Sequence, residues 1–182
     1  MVGNINIIET LQNTLQEVQW QEICSHSYRV ANLVTRVAQV LNIPAVPLAI
    51  AAYAHDLGKI AWPVELRDKH PLSPIDWGLI HSHPVVSAQE LNRIWPQAPP
   101  DILSLVRGHH ERPGGRGYPD GLQDISIELA IIAACDVYDA ITSERAYRPG
   151  GALDARQALL AVADFAPARV VAALAAVVGK IA

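Results

Sequence analysis

AYAHDLGK, residues 52–59, closes the most apolar helical stretch of the chain. From Val46 to Leu57 that stretch is apolar almost all round, so its helix belongs in the middle of a bundle and not on its surface. It then delivers His55 and Asp56. An imidazole and a carboxylate are costly to bury unless they are paired or bound to a metal. A carboxylate set between two cations can ligate both, and an imidazole suits Zn, Fe, Mn or Ni. Lys59 lies four residues after His55 and could present its ammonium to a phosphate as a point charge. A plainer reading also fits: Gly58 is the C′ residue of the helix and Lys59 sits near its negative end. Both readings can hold together.

The composition around this stretch points the same way. The chain has 182 residues, enough for one domain with a full-sized core. Hydrophobic residues make up 51% and aromatics only 5%, and strand-rich domains use more aromatic and β-branched residues. An all-α fold is therefore expected. The net charge of −4 gives no basic surface for a nucleic-acid polymer. Cys24 and Cys135 are far apart and outside any CxxC pattern, so they read as reduced thiols. The N-terminus has no basic region leading into a long apolar run, and no stretch of about 18 apolar residues exists. A cytoplasmic protein with no membrane association is the expectation.

Apolar spacing predicts a short helix over 5–18 and a longer one from Glu22 to Leu41, ended by Asn42-Ile43-Pro44. Residues 61–74, with three prolines, read as a loop. Further helices are predicted at about 75–94, 100–111, 125–143, 153–163 and 167–181, separated by prolines. The final segment, ARVVAALAAVVGKIA, suits packing on the core or on a second copy, which makes a homodimer one expectation. The whole of 1–182 reads as a single domain: an N-terminal helix in 1–20, a core carrying the chemistry in 21–144 and C-terminal helices in 145–182.

The chain has seven histidines, and their company matters more than their number. Glu22 and His26 lie four apart and share one helix face. His81 and His83 diverge by about 200° on a helix, so one site does not easily take both, and the spacing alone does not say which. His109 and His110 differ by about 100° and could reach two neighbouring metals. Asp136 sits within the apolar run AIIAACDVYDA and needs a partner. Asp139, one turn on, could orient a ligand imidazole. Taken singly, each of these has an ordinary explanation as a helix pair or a hydrogen-bonded core group. Eight such coincidences are improbable. A His/carboxylate set without cysteine indicates a catalytic polynuclear centre and not a structural zinc site.

The ordered motifs HD-x-GK at 55–59, HHER at 109–112 and GYP at 117–119 resemble the HD-GYP subfamily of HD-domain phosphohydrolases. The resemblance covers roughly residues 20–165. Glu22-x-x-x-His26-Ser27-x-Arg29, His83-Pro84, Asp136-Val137-Tyr138-Asp139 and Arg145-Ala146-Tyr147-Arg148 extend it, and the proline selects His83 over His81. It implies an HD-domain bundle of about seven to eight helices with the metal site in its core. It implies hydrolysis of cyclic di-GMP to pGpG and, in some members, GMP. Implied metal ligands are His26, His55, Asp56, His83, His109, His110 and Asp136, with Asp56 bridging two ions. Glu22 admits a third. Iron or manganese is implied, as are phosphate contacts from Lys59, Arg145 and Arg148. A metal-bridging hydroxide would be a nucleophile at neutral pH and would attack phosphorus in line.

Three positions depart from the family pattern. Gly114-Gly115-Arg116 stand where Asp-Gly is usual, Ser87 replaces a glycine and Asp76 replaces a glutamate. No sensor or receiver segment is expected before the module. Two other readings remain: an HD hydrolase of another cyclic dinucleotide or nucleotide, and a non-catalytic module that binds nucleotide or a protein partner. The loop Gly117-Tyr118-Pro119 suits either substrate contact or partner docking.

Overall fold

A computed structural model describes residues 7–16, 21–67, 69–143 and 151–179. Among these residues there are eight α-helices and no strand. The helices are α1 (Ile7–Gln16), α2 (Gln21–Val40), α3 (Ala45–Ala54), α4 (Pro74–Ile94), α5 (Pro100–Gly108), α6 (Ile127–Thr142), α7 (Ala155–Ala163) and α8 (Ala168–Val178). The all-α expectation holds.

Two helices form the centre. In α3, Leu48, Ile50, Ala51, Ala52 and Ala54 are buried. In α6 every residue from Leu129 to Asp136 is buried. Their many alanines let neighbouring backbones approach closely. The long α2 turns Val30, Val34, Val37 and Ala38 inward, at helical spacing, and packs along α3, α6 and α8. α4 packs on α5 and on the 3₁₀ turn Leu57–Ala61. α7 and α8 close the far side against α6.

Local sequence sets the helix ends. Asn42 takes a left-handed φ of 57° and turns α2 into α3. Ser73 and Asp76 form a reciprocal capping box at the start of α4, which Lys69 braces through an ion pair to Asp76 of 2.7 Å. Ser126 caps α6, and Asp154 with Gln157 caps α7.

Several expected boundaries move. The helix predicted to run to Leu57 stops at Ala54; His55 is its C-cap and Asp56 leaves the helical region at φ −101°, ψ 9°. Gly58 is therefore not the helix C′ residue. It lies in the following 3₁₀ turn, where an added Cβ would meet the His83 carbonyl oxygen at 2.4 Å and the Ser87 amide at 2.8 Å. Close approach to α4, not turn geometry, requires the glycine. Ser87 completes this joint, since its Oγ accepts from the Gly58 amide at 2.8 Å. The helix predicted over 100–111 ends at Gly108, so His109 caps it and His110 lies in the turn beyond. Within the loop expected over 61–74, Val64–Arg67 forms a 3₁₀ turn. The last helix ends at Val178.

Candidate metal centre

The helix ends and one proline explain how the imidazoles are aimed. A carbonyl in the last turn of a helix has no amide to accept from. Asp56 lies past the end of α3, and His55 Nδ1 takes up the Ala52 carbonyl at 2.6 Å. His110 lies past the end of α5, and His109 Nδ1 takes up the Val106 carbonyl at 2.7 Å. Inside α4, Pro84 has no amide hydrogen to give the Ile80 carbonyl. His83 Nδ1 bonds that carbonyl at 2.6 Å instead. A carbonyl only accepts, so each Nδ1 is a protonated donor, and Nε2 is the nitrogen left to ligate through its lone pair once any proton there is shed.

These lone pairs converge on Asp56, which is 1% exposed. Its Oδ2 lies 3.4 Å from His55 Nε2 and 3.8 Å from His26 Nε2. Its Oδ1 lies 3.3 Å from His83 Nε2 and 4.0 Å from His109 Nε2. Lys59 Nζ reaches Oδ2 at 2.6 Å. His83 Nε2 and His109 Nε2 face each other at 3.1 Å. His110 stands against both, with ring centroids 4.9 Å from His83 and 4.2 Å from His109. On the other side, His26 Nε2 lies 3.0 Å from Asp136 Oδ1, and that oxygen lies 3.7 Å from His55 Nε2. His26 Nδ1 is held by Asp139 at 2.7 Å, and Arg29 grips the same carboxylate with Nε at 2.7 Å.

Two groups therefore have ligand atoms close enough to hold one cation each: His26, His55 and Asp56, and His83, His109 and His110. Their chemistry fits a divalent ion. His55 Nε2 and Asp56 Oδ1 are buried with no hydrogen-bond partner. Such atoms are rare in folded proteins and call for an ion or water. In the second group His83 Nε2 and His109 Nε2 stand 3.1 Å apart, an arrangement that a shared cation would satisfy.

Burial and neighbours set the charges. Burial, and then the imidazoles around it, hold His109 neutral, well below its ordinary value. Burial above all depresses His110 to about 3. Both are thus ready to ligate at neutral pH. Burial would raise the Asp56 carboxyl, but His55 and Lys59 outweigh it and hold it well below the usual range. Burial opposes the charged form of His26 as well, yet its bonds to Asp136 and Asp139 raise it to about 9.

Most of the residues singled out in the sequence meet here. Asp139 lies against His26 Nδ1, at 2.7 Å. Glu22 lies one turn before His26 on α2, exposed and outside both groups. Arg145 and Arg148 fall outside the described residues. His81 is exposed and stacks on Tyr118, with centroids 4.4 Å apart. Tyr118 in turn stacks on His110 at 4.7 Å and 27°.

Glu111 and Arg29 are the residues whose roles sequence reasoning missed. Glu111 is 0% exposed. Its carboxylate accepts the amides of Asp120, Gly121 and Leu122 at 2.6, 3.1 and 2.9 Å. This pins the loop of Gly117, Tyr118 and Pro119 against the centre. Gly117 is required there because an added Cβ would meet the Arg112 amide at 2.3 Å. Gly114 takes φ 74°, which glycine adopts without strain.

The HD domain family profile matches residues 9–167. The chain belongs to the HD domain family. Membership of this family implies divalent metal binding, in keeping with the two groups above. A protein named cyclic di-GMP phosphodiesterase from Pseudomonas aeruginosa is 38% identical over 132 residues, 69% of this chain and 31% of the relative. A protein named cyclic di-GMP phosphodiesterase response regulator, from Xanthomonas campestris, is 30% identical over 84% of this chain and 42% of its own length. A 3'3'-cGAMP-specific phosphodiesterase from Vibrio cholerae is 30% identical over 74% of this chain and 30% of its own length. The chain spans about a third of the length of the first of these relatives. These names accord with the HD-GYP subfamily that the motifs resemble. Among solved structures, an HDG"Y"P protein from Bdellovibrio bacteriovorus matches this HD domain with a TM-score of 0.70 at 20% identity, covering 94% of this chain and 57% of the other. The HD domain of PgpH from L. monocytogenes, solved with cyclic-di-AMP, matches with a TM-score of 0.69 at 18% identity, covering 95% and 96%. No helix among the described residues is long and apolar enough to cross a membrane.

Proposed function

We propose that this HD domain is a metal-dependent phosphodiesterase that hydrolyses cyclic di-GMP in the cytoplasm, first to pGpG and onward to GMP. The observation that carries the reading is Asp56. It is buried, with one oxygen towards His26 and His55 and the other towards His83 and His109. Relatives bearing the name cyclic di-GMP phosphodiesterase support the choice of substrate.

His26, His55, Asp56 and Asp136 would hold one ion, and Asp56, His83, His109 and His110 a second, with Glu22 available to a third. Iron and manganese suit this nitrogen and oxygen set. Such ions lower the pKa of water and neutralise charge on phosphoryl oxygens. The chain's own residues do the remainder. Asp139 holds His26, and the three carbonyls hold His55, His83 and His109, so four of the five imidazoles are aimed before an ion arrives. Lys59 sets a positive charge beside the scissile phosphate, and Arg145 and Arg148 are proposed to hold the substrate's phosphates. Asp56 Oδ1, His83 and His109 are fully enclosed, which keeps the electrostatics strong.

The relatives named 3'3'-cGAMP-specific favour a second reading, in which a different cyclic dinucleotide is the substrate. Anaerobic purification, metal quantification and turnover with Mn(II) or Fe(II) on both dinucleotides decide between them. Cyclic di-GMP is expected to be hydrolysed, and Asp56→Ala to abolish activity together with most of the metal. Tightly bound metal with no turnover of cyclic di-GMP would refute the proposed substrate.

A further inference from the structure

A row of rings leads from the centre to solvent. His110 stacks on Tyr118 with centroids 4.7 Å apart, Tyr118 lies 4.4 Å from His81, and His81 lies 5.8 Å from Trp77. The row opens to solvent at its outer end: Tyr118 is half-buried, whereas His81 and Trp77 are exposed, Trp77 at 49%. Trp77 and His81 are four apart on α4, so one helix face carries both. Tyr118 has His110 and His81 against it, so the open end of the row is Trp77. Trp62, the other aromatic near the centre, is differently placed. Lys59 Nζ lies over its ring at 5.4 Å, and it meets His83 edge-on at 5.6 Å.

A large aromatic left in water beside a phosphate-ester centre is suited to one part of a nucleotide. Base stacking on aromatic side chains tolerates any base and strengthens binding substantially. Rings 4.5–7 Å apart, offset or tilted, are the usual arrangement. We infer that Trp77, backed by His81 and Tyr118, is the surface on which a purine base of the substrate stacks while its phosphate lies at Asp56. This inference rests on the proposed nucleotide substrate, and it adds a base-binding surface to the metal centre.

GMP and ribose 5-phosphate separate the base from the rest of the nucleotide, because they differ only in the purine. Calorimetric titration of the metal-loaded protein is expected to give GMP about tenfold tighter binding than ribose 5-phosphate. Trp77→Ala should reduce that preference to within about twofold, and Trp77→Phe should retain most of it. His81→Ala should weaken it less. Ribose 5-phosphate should bind all variants alike. With cyclic di-GMP, Trp77→Ala should raise KM about tenfold and leave kcat within about threefold. Equal binding of GMP and ribose 5-phosphate by the unaltered protein would overturn the inference. So would an undiminished preference in Trp77→Ala, or an equal loss of ribose 5-phosphate binding. If the protein turned over no cyclic dinucleotide, the proposed function would fall. The GMP comparison would still decide the role of Trp77.

Discussion

His26 enters the centre carrying a proton. Its folded value of about 9 lies above the ordinary 6.5, because its bonds to Asp136 and Asp139 outweigh burial. In the metal-free protein this pairing stabilises the fold below pH 6.5 and is lost as pH rises through about 9. A protonated Nε2 cannot ligate, so loading that site must expel the proton. Metal affinity is therefore expected to climb about tenfold per pH unit through neutral pH. Calorimetric titration with Mn(II) in two buffers of different ionisation enthalpy should show close to one proton released at pH 7; zero release would contradict this assignment. At the same scale, Glu111→Ala leaves three loop amides without their acceptor. A loss of about 3 kcal/mol in denaturant unfolding is expected, with the loop amides exchanging faster.

At the scale of elements, Pro84 within α4 leaves the Ile80 carbonyl to His83. An alanine there would restore an amide for the Ile80 carbonyl and compete with His83 Nδ1. Two effects of opposite sign follow for Pro84→Ala. Intrinsic helix stability rises, by up to about 3 kcal/mol at an interior position. Metal affinity falls about tenfold, the usual result of loosening a ligand's supporting hydrogen bond. Thermal melting of the metal-free variant and a metal-binding isotherm test the pair; unchanged affinity would show that the proline does not aim His83. The joint between α4 and the Leu57–Ala61 turn is equally tight. Gly58→Ala would push a methyl group into the His83 carbonyl and should cost about 1–3 kcal/mol.

In the whole molecule, side chains from α2, α3, α4, α5 and α6, or from their ends, meet at one point. A bound ion thus ties most of the bundle together. Saturating Mn(II) should raise the melting temperature by about 5 °C or more over protein in chelator; equal melting points would mean that the ligands do not form one centre. Much of this was legible in the sequence. The apolar period of α2, the all-apolar α3 and the His/Asp pairs are local signals, and they outlined the helices and the candidate ligands. The rest depends on tertiary contacts. Arg29 finds Asp139 at a separation of 110 residues, and no local pattern announces it. Gly58 looked like a helix cap because capping is a local rule, whereas its true neighbour is the backbone of α4. Glu111 stood in the sequence only as one letter of HHER, and only the folded loop reveals its three amides.

Both α3 and α5 end at the centre, with His55 and His109 as their caps. The partial negative charge at a helix C-terminus is felt within its last turn. It adds here to the carboxylates of Asp56 and Asp136. Before any ion arrives, the carboxylates of Asp56, Asp136 and Asp139 are roughly balanced by Lys59, His26 and Arg29; two divalent ions would leave the corner strongly positive. Under the proposed function this sets an order of events: cations first, dianionic dinucleotide second. Protein starved of metal is then expected to hold the dinucleotide only weakly.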